Sequence, residues 1–407
     1  MTGPWDVVVI GAGIVGLATA RELQRRDPAR RVLVVDRESR VAAHQSSHSS
    51  GVLHAGIYYP PGSLKARACV RGRELLERFC DEHAIAHERC GKLVVALDAG
   101  ERTRLDELER RAIANGVPGL RRLEGPGAIA EVEPYATGVA ALHSPMTGIV
   151  DFAAVAGVLA EQLREHGGEL RLGFAVQRLD RSGGVVRVSG PAGTVQARRV
   201  VACAGLWSDR LAVADGAPAD PRIVPFRGGY LRLRPSASGL VRGLIYPVPD
   251  PALPFLGVHL TRTIGGELWL GPTALLVGRR DGYRLRGAWR PGGGELRATL
   301  GWPGTGRVLA RWWRTGAHEL ATALAPGRLV REAARYVPAL GRDDVDHGPH
   351  PAGIRAQAVA RDGALVDDFV VHETGSGVHV RNAPSPAATS SLALAELIAD
   401  RVDAADR

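Results

Sequence analysis

The stretch DVVVIGAGIVGLATARELQRRDPARRVLVVD, residues 6–36, decides the fold. Residues 6–10 form a short valine-rich run that reads as a buried parallel strand. Gly11, Gly13 and Gly16 then give G-x-G-x-x-G directly after that strand and at the opening of a helical segment that continues to residue 26. The first glycine makes the tight turn, the second lets a pyrophosphate approach the backbone, and the third lets helix and strand pack closely. The helix N-terminus, with Ile14 and Val15, then faces the phosphates. A second apolar run, 31–35, ends at Asp36, 20 residues after Gly16, where a carboxylate can bind ribose hydroxyls, and Arg37 follows it. This is a βαβ dinucleotide-binding unit, and its fingerprint is shared by nicotinamide and flavin proteins.

At 407 residues and 45% apolar composition, the chain can build two domains or one elaborated domain with a large insertion. The net charge is +9, but only Lys65 and Lys92 are lysines and the arginines are scattered rather than clustered, which argues against nucleic-acid binding. Four cysteines, Cys69, Cys80, Cys90 and Cys203, contain no C-x-x-C pair, so neither a disulfide framework nor a cysteine-rich zinc site is expected. No signal peptide and no apolar run of about 18 residues is read, so the expectation is a cytoplasmic protein in a reducing compartment.

Helices are expected at 64–83, at 98–115 with Asp98 and Glu101 as a capping box, at 151–167, at 307–325 and from 390 onward. Strands are expected at 169–174, 175–179 and 185–189, and in RRVVACAG, which turns at Gly205. From 223 to 287 short strands with Gly/Pro turns read as an antiparallel sheet, and residues 292–306 as a loop. A strand-turn unit at 200–209, VVACAGLWSD, so far from an N-terminal fingerprint, resembles the flavoprotein arrangement in which the later segment closes over the dinucleotide.

The stretch HQSSHSSGVLHAGIYY, residues 44–59, invites a metal or hydrolase reading. His44 and His48 stand four apart, but SSHSSG is a poor helix interior and no third ligand type is at hand, so no metal site is assigned. There is no G-x-S-x-G elbow either. A polar loop against a cofactor is the reading that remains.

The pieces GAGIVGLATARELQRR (11–26), HQSSHSSGVLHAGIYYPPGSLKA (44–66), GLIYPVPDPALPFLGVHLTR (243–262), PAGIRAQAV (351–359) and NAPSPAATSSLA (382–393) resemble, in order, the L-2-hydroxyglutarate oxidase/dehydrogenase family of the D-amino-acid oxidase superfamily. The resemblance implies a mixed α/β (α+β) fold. A Rossmann-type FAD-binding domain (1–80, 151–215 and 346–407) is interleaved with an antiparallel-sheet substrate domain (81–150 and 216–345). It also implies bound FAD, oxidation of the C2 hydroxyl of L-2-hydroxyglutarate to 2-oxoglutarate, and a quinone or dioxygen as electron acceptor. The expected cofactor residues are those of the fingerprint with His44, Ser47, Ser50, Gly51, Val176, Ala204, Gly205, Trp207, Gly353, Asn382, Pro384 and Ser385. A helix starting at 387–390 is expected to aim its amide dipoles at the flavin.

Such a reaction needs a cation for the substrate carboxylate and a base for the hydroxyl proton. Arg355 is the expected carboxylate clamp, because a guanidinium binds a carboxylate bidentately and stays charged. His54 is the expected base, with His259 as its rival. Tyr246, Tyr58 and Tyr230 are expected to line the pocket or bind a distal carboxylate. Gly229, Leu231 and Ser49 depart from the family's pattern, leaving a longer or differently branched 2-hydroxy acid open. Two competing readings keep the same cofactor: an amine oxidase of the sarcosine or glycine oxidase kind, and a flavin-binding protein without turnover.

In GRVLARWWRTGAHELATALA, residues 306–325, a helix would place Val308, Leu309, Trp312, Trp313, Leu320 and Leu324 on one face and Arg307, Arg311, Arg314 and His318 on the other. That pattern suits either a core-facing helix or a peripheral contact with the inner face of the cell membrane.

Overall fold

The computed structural model describes residues 3–288 and 294–405. β1 (Trp5–Ile10), α1 (Ile14–Arg26) and β2 (Val32–Val35) form the opening unit, with β1 and β2 parallel and Val7 opposite Val32. Side chains alternate across a strand, so Val7, Val9, Val32 and Val34 enter one core while Val8, Ile10, Leu33 and Val35 enter another. Burial on both faces is why these strands read as unbroken apolar runs.

The sheet that contains them has eight strands. Gly193–Ala202 lies parallel to β1 on one side, and Glu169–Arg171 lies parallel to β2 on the other. The hairpin of Arg178–Ser182 and Val185–Gly190 extends one edge, and Gly377–Asn382 joins the end of Gly193–Ala202. α1, Leu64–Glu82, Phe152–Glu165 and Ser391–Ala404 cover one face through Leu17, Leu76, Leu159 and Ile398, each fully buried. Residues 175–177, expected in a strand, are irregular and line the cavity described below.

A second sheet of seven strands runs Leu231–Arg232, Leu268–Gly271, His259–Arg262, Leu244–Pro247, Lys92–Ala96, Ala140–Ser144, Arg121–Glu124. It is antiparallel except where Leu244–Pro247 meets Lys92–Ala96 in parallel. A smaller sheet joins Arg222–Gly229 to Leu275–Leu276 and, along its full length, to Ala352–Val359. That pairing crosses the division drawn at 346 in the sequence.

Two expectations are corrected. Residues 295–300 and 303–306 are helical rather than loop, while 292 and 293 lie outside the described residues. The expected helix over 307–325 is two helices, Pro303–Arg311 and Trp313–Leu324, meeting at Trp312. Its apolar stripe divides accordingly: Val308 is buried beside Trp302 and Phe226, whereas Trp313 and Leu324 are 62% and 69% exposed. No helix among the described residues is long and apolar enough to cross a membrane.

Helix Leu64–Glu82 packs so closely on the turn at 384–390 that a Cβ on Gly72 would lie 2.6 Å from both Ser390 Cα and the Thr389 carbonyl oxygen. Overpacking of this kind costs about 1–3 kcal/mol. Gly72→Ala is therefore expected to lower stability by that amount in urea unfolding monitored by circular dichroism.

Candidate active site

A cavity of about 1500 Å³ runs from the N-terminus of α1 to the seven-stranded sheet. Sites for single small ligands occupy roughly 300–1000 Å³, so there is room for a dinucleotide and a small substrate together. At its first end the glycines do what their spacing predicts. Gly11 has φ +113°, and a Cβ there would sit 2.3 Å from the Cys203 carbonyl oxygen; one on Gly16 would sit 2.0 Å from that of Gly11. Asp36 Oδ2 accepts from Ala12 N at 2.7 Å and Oδ1 from Glu38 N at 2.8 Å, so the carboxylate at the end of β2 is held by backbone amides. Ser46 Oγ accepts from Ile14 N at 3.0 Å, capping α1 from the loop. Arg37 lies 4.2 Å over the Trp207 ring, and His44 bridges Glu38 (2.9 Å) and the Tyr283 hydroxyl (3.0 Å) at the same end.

Of the expected cofactor residues, Gly11, Gly13, Ile14, Val15, Gly16, Asp36, Arg37, His44, Ser50, Val176, Ala204, Gly205, Trp207, Gly353, Pro384 and Ser385 line this cavity. Three do not. Ser47 Oγ bonds within its own loop, to the His44 carbonyl and His48 Nδ1. Gly51 packs on the Val150 carbonyl, 2.7 Å from where a Cβ would be. Asn382 is buried and donates from Nδ2 to the carbonyls of Val366 and Asp368, so it ties the end of Gly377–Asn382 to the 366–368 loop. The helix expected to start at 387 begins at Ser391, and residues 385–390 are turns. Ser46, Gln45, His48, Lys65 and Arg381 line the cavity and were not anticipated; one serine among four in 46–50 has no sequence mark that says which caps α1.

The second end brings His54, Tyr58, Tyr230, Tyr246, His259 and Arg355 to one wall. Arg355 stands on Ala352–Val359, opposite Phe226, with its guanidinium 4.8 Å over the Phe255 ring. It has no hydrogen bond or ion pair among the described residues. Burial lowers its affinity for its proton, while Tyr230, Glu319 and Tyr246 act in the opposite direction. Glu319 is engaged elsewhere, accepting from Ala274 N at 2.7 Å.

His54 receives no partner at Nδ1, which is buried, and its Nε2 lies 3.4 Å from Ser385 Oγ. Its backbone N donates to Thr389 Oγ1 at 3.2 Å, so the 385–390 turn positions it. Burial first, then the charges of Lys92, His259 and Lys65, push it well below the usual imidazole value, and it is neutral at pH 7. His259 Nδ1 donates to the Gly257 carbonyl at 2.8 Å, which leaves Nε2 as the acceptor, and burial drives it down to about 3. Its ring stacks on Tyr246 at 3.8 Å with 14° between planes. The Tyr58 hydroxyl is buried without a partner.

Glycines at 11 and 16 with no room for a Cβ, a carboxylate fixed at the end of β2, and a half-buried neutral histidine fit a bound dinucleotide and a polar substrate. The FAD dependent oxidoreductase (DAO) family model matches residues 6–401. The chain belongs to this family of FAD-dependent oxidoreductases. It is 45% identical to the mitochondrial L-2-hydroxyglutarate dehydrogenase of Nematostella vectensis, covering 98% of this chain and 90% of that one. It is 41% identical to the mitochondrial L-2-hydroxyglutarate dehydrogenase of Homo sapiens, over 98% and 89%. The fold matches that of FAD-bound L-α-glycerophosphate oxidase from Mycoplasma pneumoniae with a TM-score of 0.78, covering 98% of this chain and 95% of that one at 22% identity. FAD is the cofactor of this oxidoreductase.

Replacing Asp36 by Ala removes an ionised acceptor and strands two backbone amides. Hydrogen bonds to charged groups contribute about 1.5–3 kcal/mol, so FAD affinity is expected to fall by about 10- to 150-fold, read by fluorescence titration of the apoprotein.

Proposed function

We propose that this enzyme oxidises the C2 hydroxyl of L-2-hydroxyglutarate to 2-oxoglutarate, with electrons passing on to a quinone or dioxygen. The observation that carries the reading is the presence, in one cavity, of a half-buried guanidinium with no ion pair among the described residues, Arg355, and a neutral histidine, His54. The names of the relatives support the substrate.

Arg355 holds the substrate's C1 carboxylate bidentately, which fixes C2 in one orientation. His54 accepts the C2 hydroxyl proton at Nε2, the ring nitrogen that borders Ser385 Oγ on the accessible side, the ring being neutral. Tyr246, stacked on His259, and Tyr58 form the wall beyond C2. Bound FAD supplies the hydride acceptor. Pro249, Asp250, Pro251 and residues 253–256 line the cavity and bring Phe255 against both Arg355 and Phe226, which shields one face of the guanidinium.

Anaerobic addition of L-2-hydroxyglutarate is expected to bleach the flavin band; bleaching by glycine or sarcosine alone would make the enzyme an amine oxidase. Arg355→Ala is expected to raise the substrate's dissociation constant at least 100-fold. His54→Ala is expected to slow flavin reduction about 10²- to 10⁴-fold, with affinity nearly unchanged. Because the folded His54 titrates well below 6.5, the limiting reduction rate in stopped flow is expected to stay flat from pH 8 down through 6.5 and to fall only below that.

The exposed Leu309, Trp313, Leu320 and Leu324, with Arg311 and Arg314 stacked on Trp312 and Trp313, support a peripheral contact with an anionic membrane surface. Trp313→Ser with Leu324→Ser is expected to abolish co-sedimentation with vesicles containing anionic lipid. Unchanged sedimentation would refute the contact.

A further inference from the structure

Lys92 opens the interior strand Lys92–Ala96 of the seven-stranded sheet and is 1% exposed. By the two-residue alternation of a strand it shares a face with Val94 and Ala96, which pack with Ala55, Ile57 and the half-buried Tyr58. Its ammonium lies 4.1 Å over the Tyr246 ring and 5.1 Å over that of Tyr58, the two tyrosines that line the substrate end of the cavity. It has no ion-pair partner among the described residues, and the ionisable groups around it are Cys69, Cys90, His54, His259 and the two tyrosines. None of these is an anion at neutral pH: burial raises Cys69 to about 12 and Cys90 to about 11, and raises both tyrosines. A charge so desolvated is costly unless something negative arrives.

We propose that Lys92 is the specificity-determining residue for a doubly charged substrate, its ammonium acting through the Tyr58 and Tyr246 rings as the second positive charge of a site whose first is Arg355. The inference rests on the reading of the substrate as a 2-hydroxydicarboxylate. A single-carboxylate 2-hydroxy acid needs Arg355 alone; the second carboxylate is attracted by Lys92. At an effective dielectric of about 20, a unit charge acting across roughly 10 Å changes the binding of another about tenfold. In the ligand-free site burial brings Lys92 down to about 7, and an arriving dianion raises it again. Between those two values binding takes up a proton, so affinity for the dianion falls as pH rises above 7, while a monocarboxylate is much less affected.

The test uses the purified holoenzyme, Lys92→Met, which keeps the side chain's length without its charge, and Lys92→Arg. Flavin reduction is measured with L-2-hydroxyglutarate and with L-2-hydroxypentanoate, which has the same five carbons and one carboxylate. In K92M the KM for the dicarboxylate is expected to rise about tenfold with kcat within twofold and the KM for the monocarboxylate to rise much less, and K92R is expected to restore the discrimination. Parallel losses for both substrates would show a merely structural role and overturn the proposal. Should K92M fail to retain FAD, the wild type decides: calorimetry of 2-oxoglutarate binding at pH 8, in buffers of different ionisation enthalpy, is expected to show proton uptake, and none would overturn it. Wild-type flavin left oxidised by L-2-hydroxyglutarate would overturn the functional reading itself, whereas normal reduction with discrimination intact in K92M would overturn the Lys92 assignment alone.

Discussion

The constraint on which the site depends is the desolvation of positive charge without an internal counter-ion. Folding normally pairs a buried cation with a carboxylate, because the cost of leaving it bare is several kcal/mol. Here Arg355 is faced by Phe255 and tyrosines, and Lys92 by the rings of Tyr58 and Tyr246. Aromatic faces offset part of that cost, by about 0.5–2 kcal/mol each, without neutralising the charge. The wall therefore stays electropositive and is complementary to a carboxylate.

Such a wall has to be held rigidly, and the pairing of Ala352–Val359 with Arg222–Gly229 along eight residues does this for Arg355. Gly353 has no room for a side chain, since a Cβ would stand 2.4 Å from the His48 carbonyl oxygen. That contact seats the Arg355 strand directly on the polar loop after β2. His54 is fixed from the other side, by Thr389 and by the helix that carries Gly72. The Arg355 strand and His54 are thus both held through contacts to one segment, residues 48–54.

The neutrality of the two histidines follows from the same cause. Each lies in a cavity already rich in positive charge, and burial and those cations act in the same direction on an imidazole. A neutral His54 is what proton acceptance requires. His259, tied at Nδ1 and stacked on Tyr246, keeps Nε2 as an acceptor and so stays the rival base to His54.

The dinucleotide end was legible in residues 6–36 because each of its features is local: strand, glycines, helix and carboxylate act on neighbours within a few residues of backbone. The capping box at Asp98 and Glu101 was legible for the same reason, with Asp98 Oδ1 accepting from Glu101 N at 2.9 Å. Asn382 and Ser47 lie off the cavity lining because a polar side chain can turn to a backbone carbonyl as readily as to a ligand, and direction is set by distant strands. Lys92 was invisible as anything but a polar residue at the start of GKLVVA, and Trp312 and Trp313 looked alike until the helix broke between them. What the sequence by itself determined was the βαβ unit, the strand-rich second part and the residue types available for chemistry, since hydrophobic period and turn chemistry are short-range. Tertiary structure alone decided which serine caps α1, which nitrogen of His54 is free and which cations go unpaired, because burial and pairing depend on residues brought together from opposite ends of the chain.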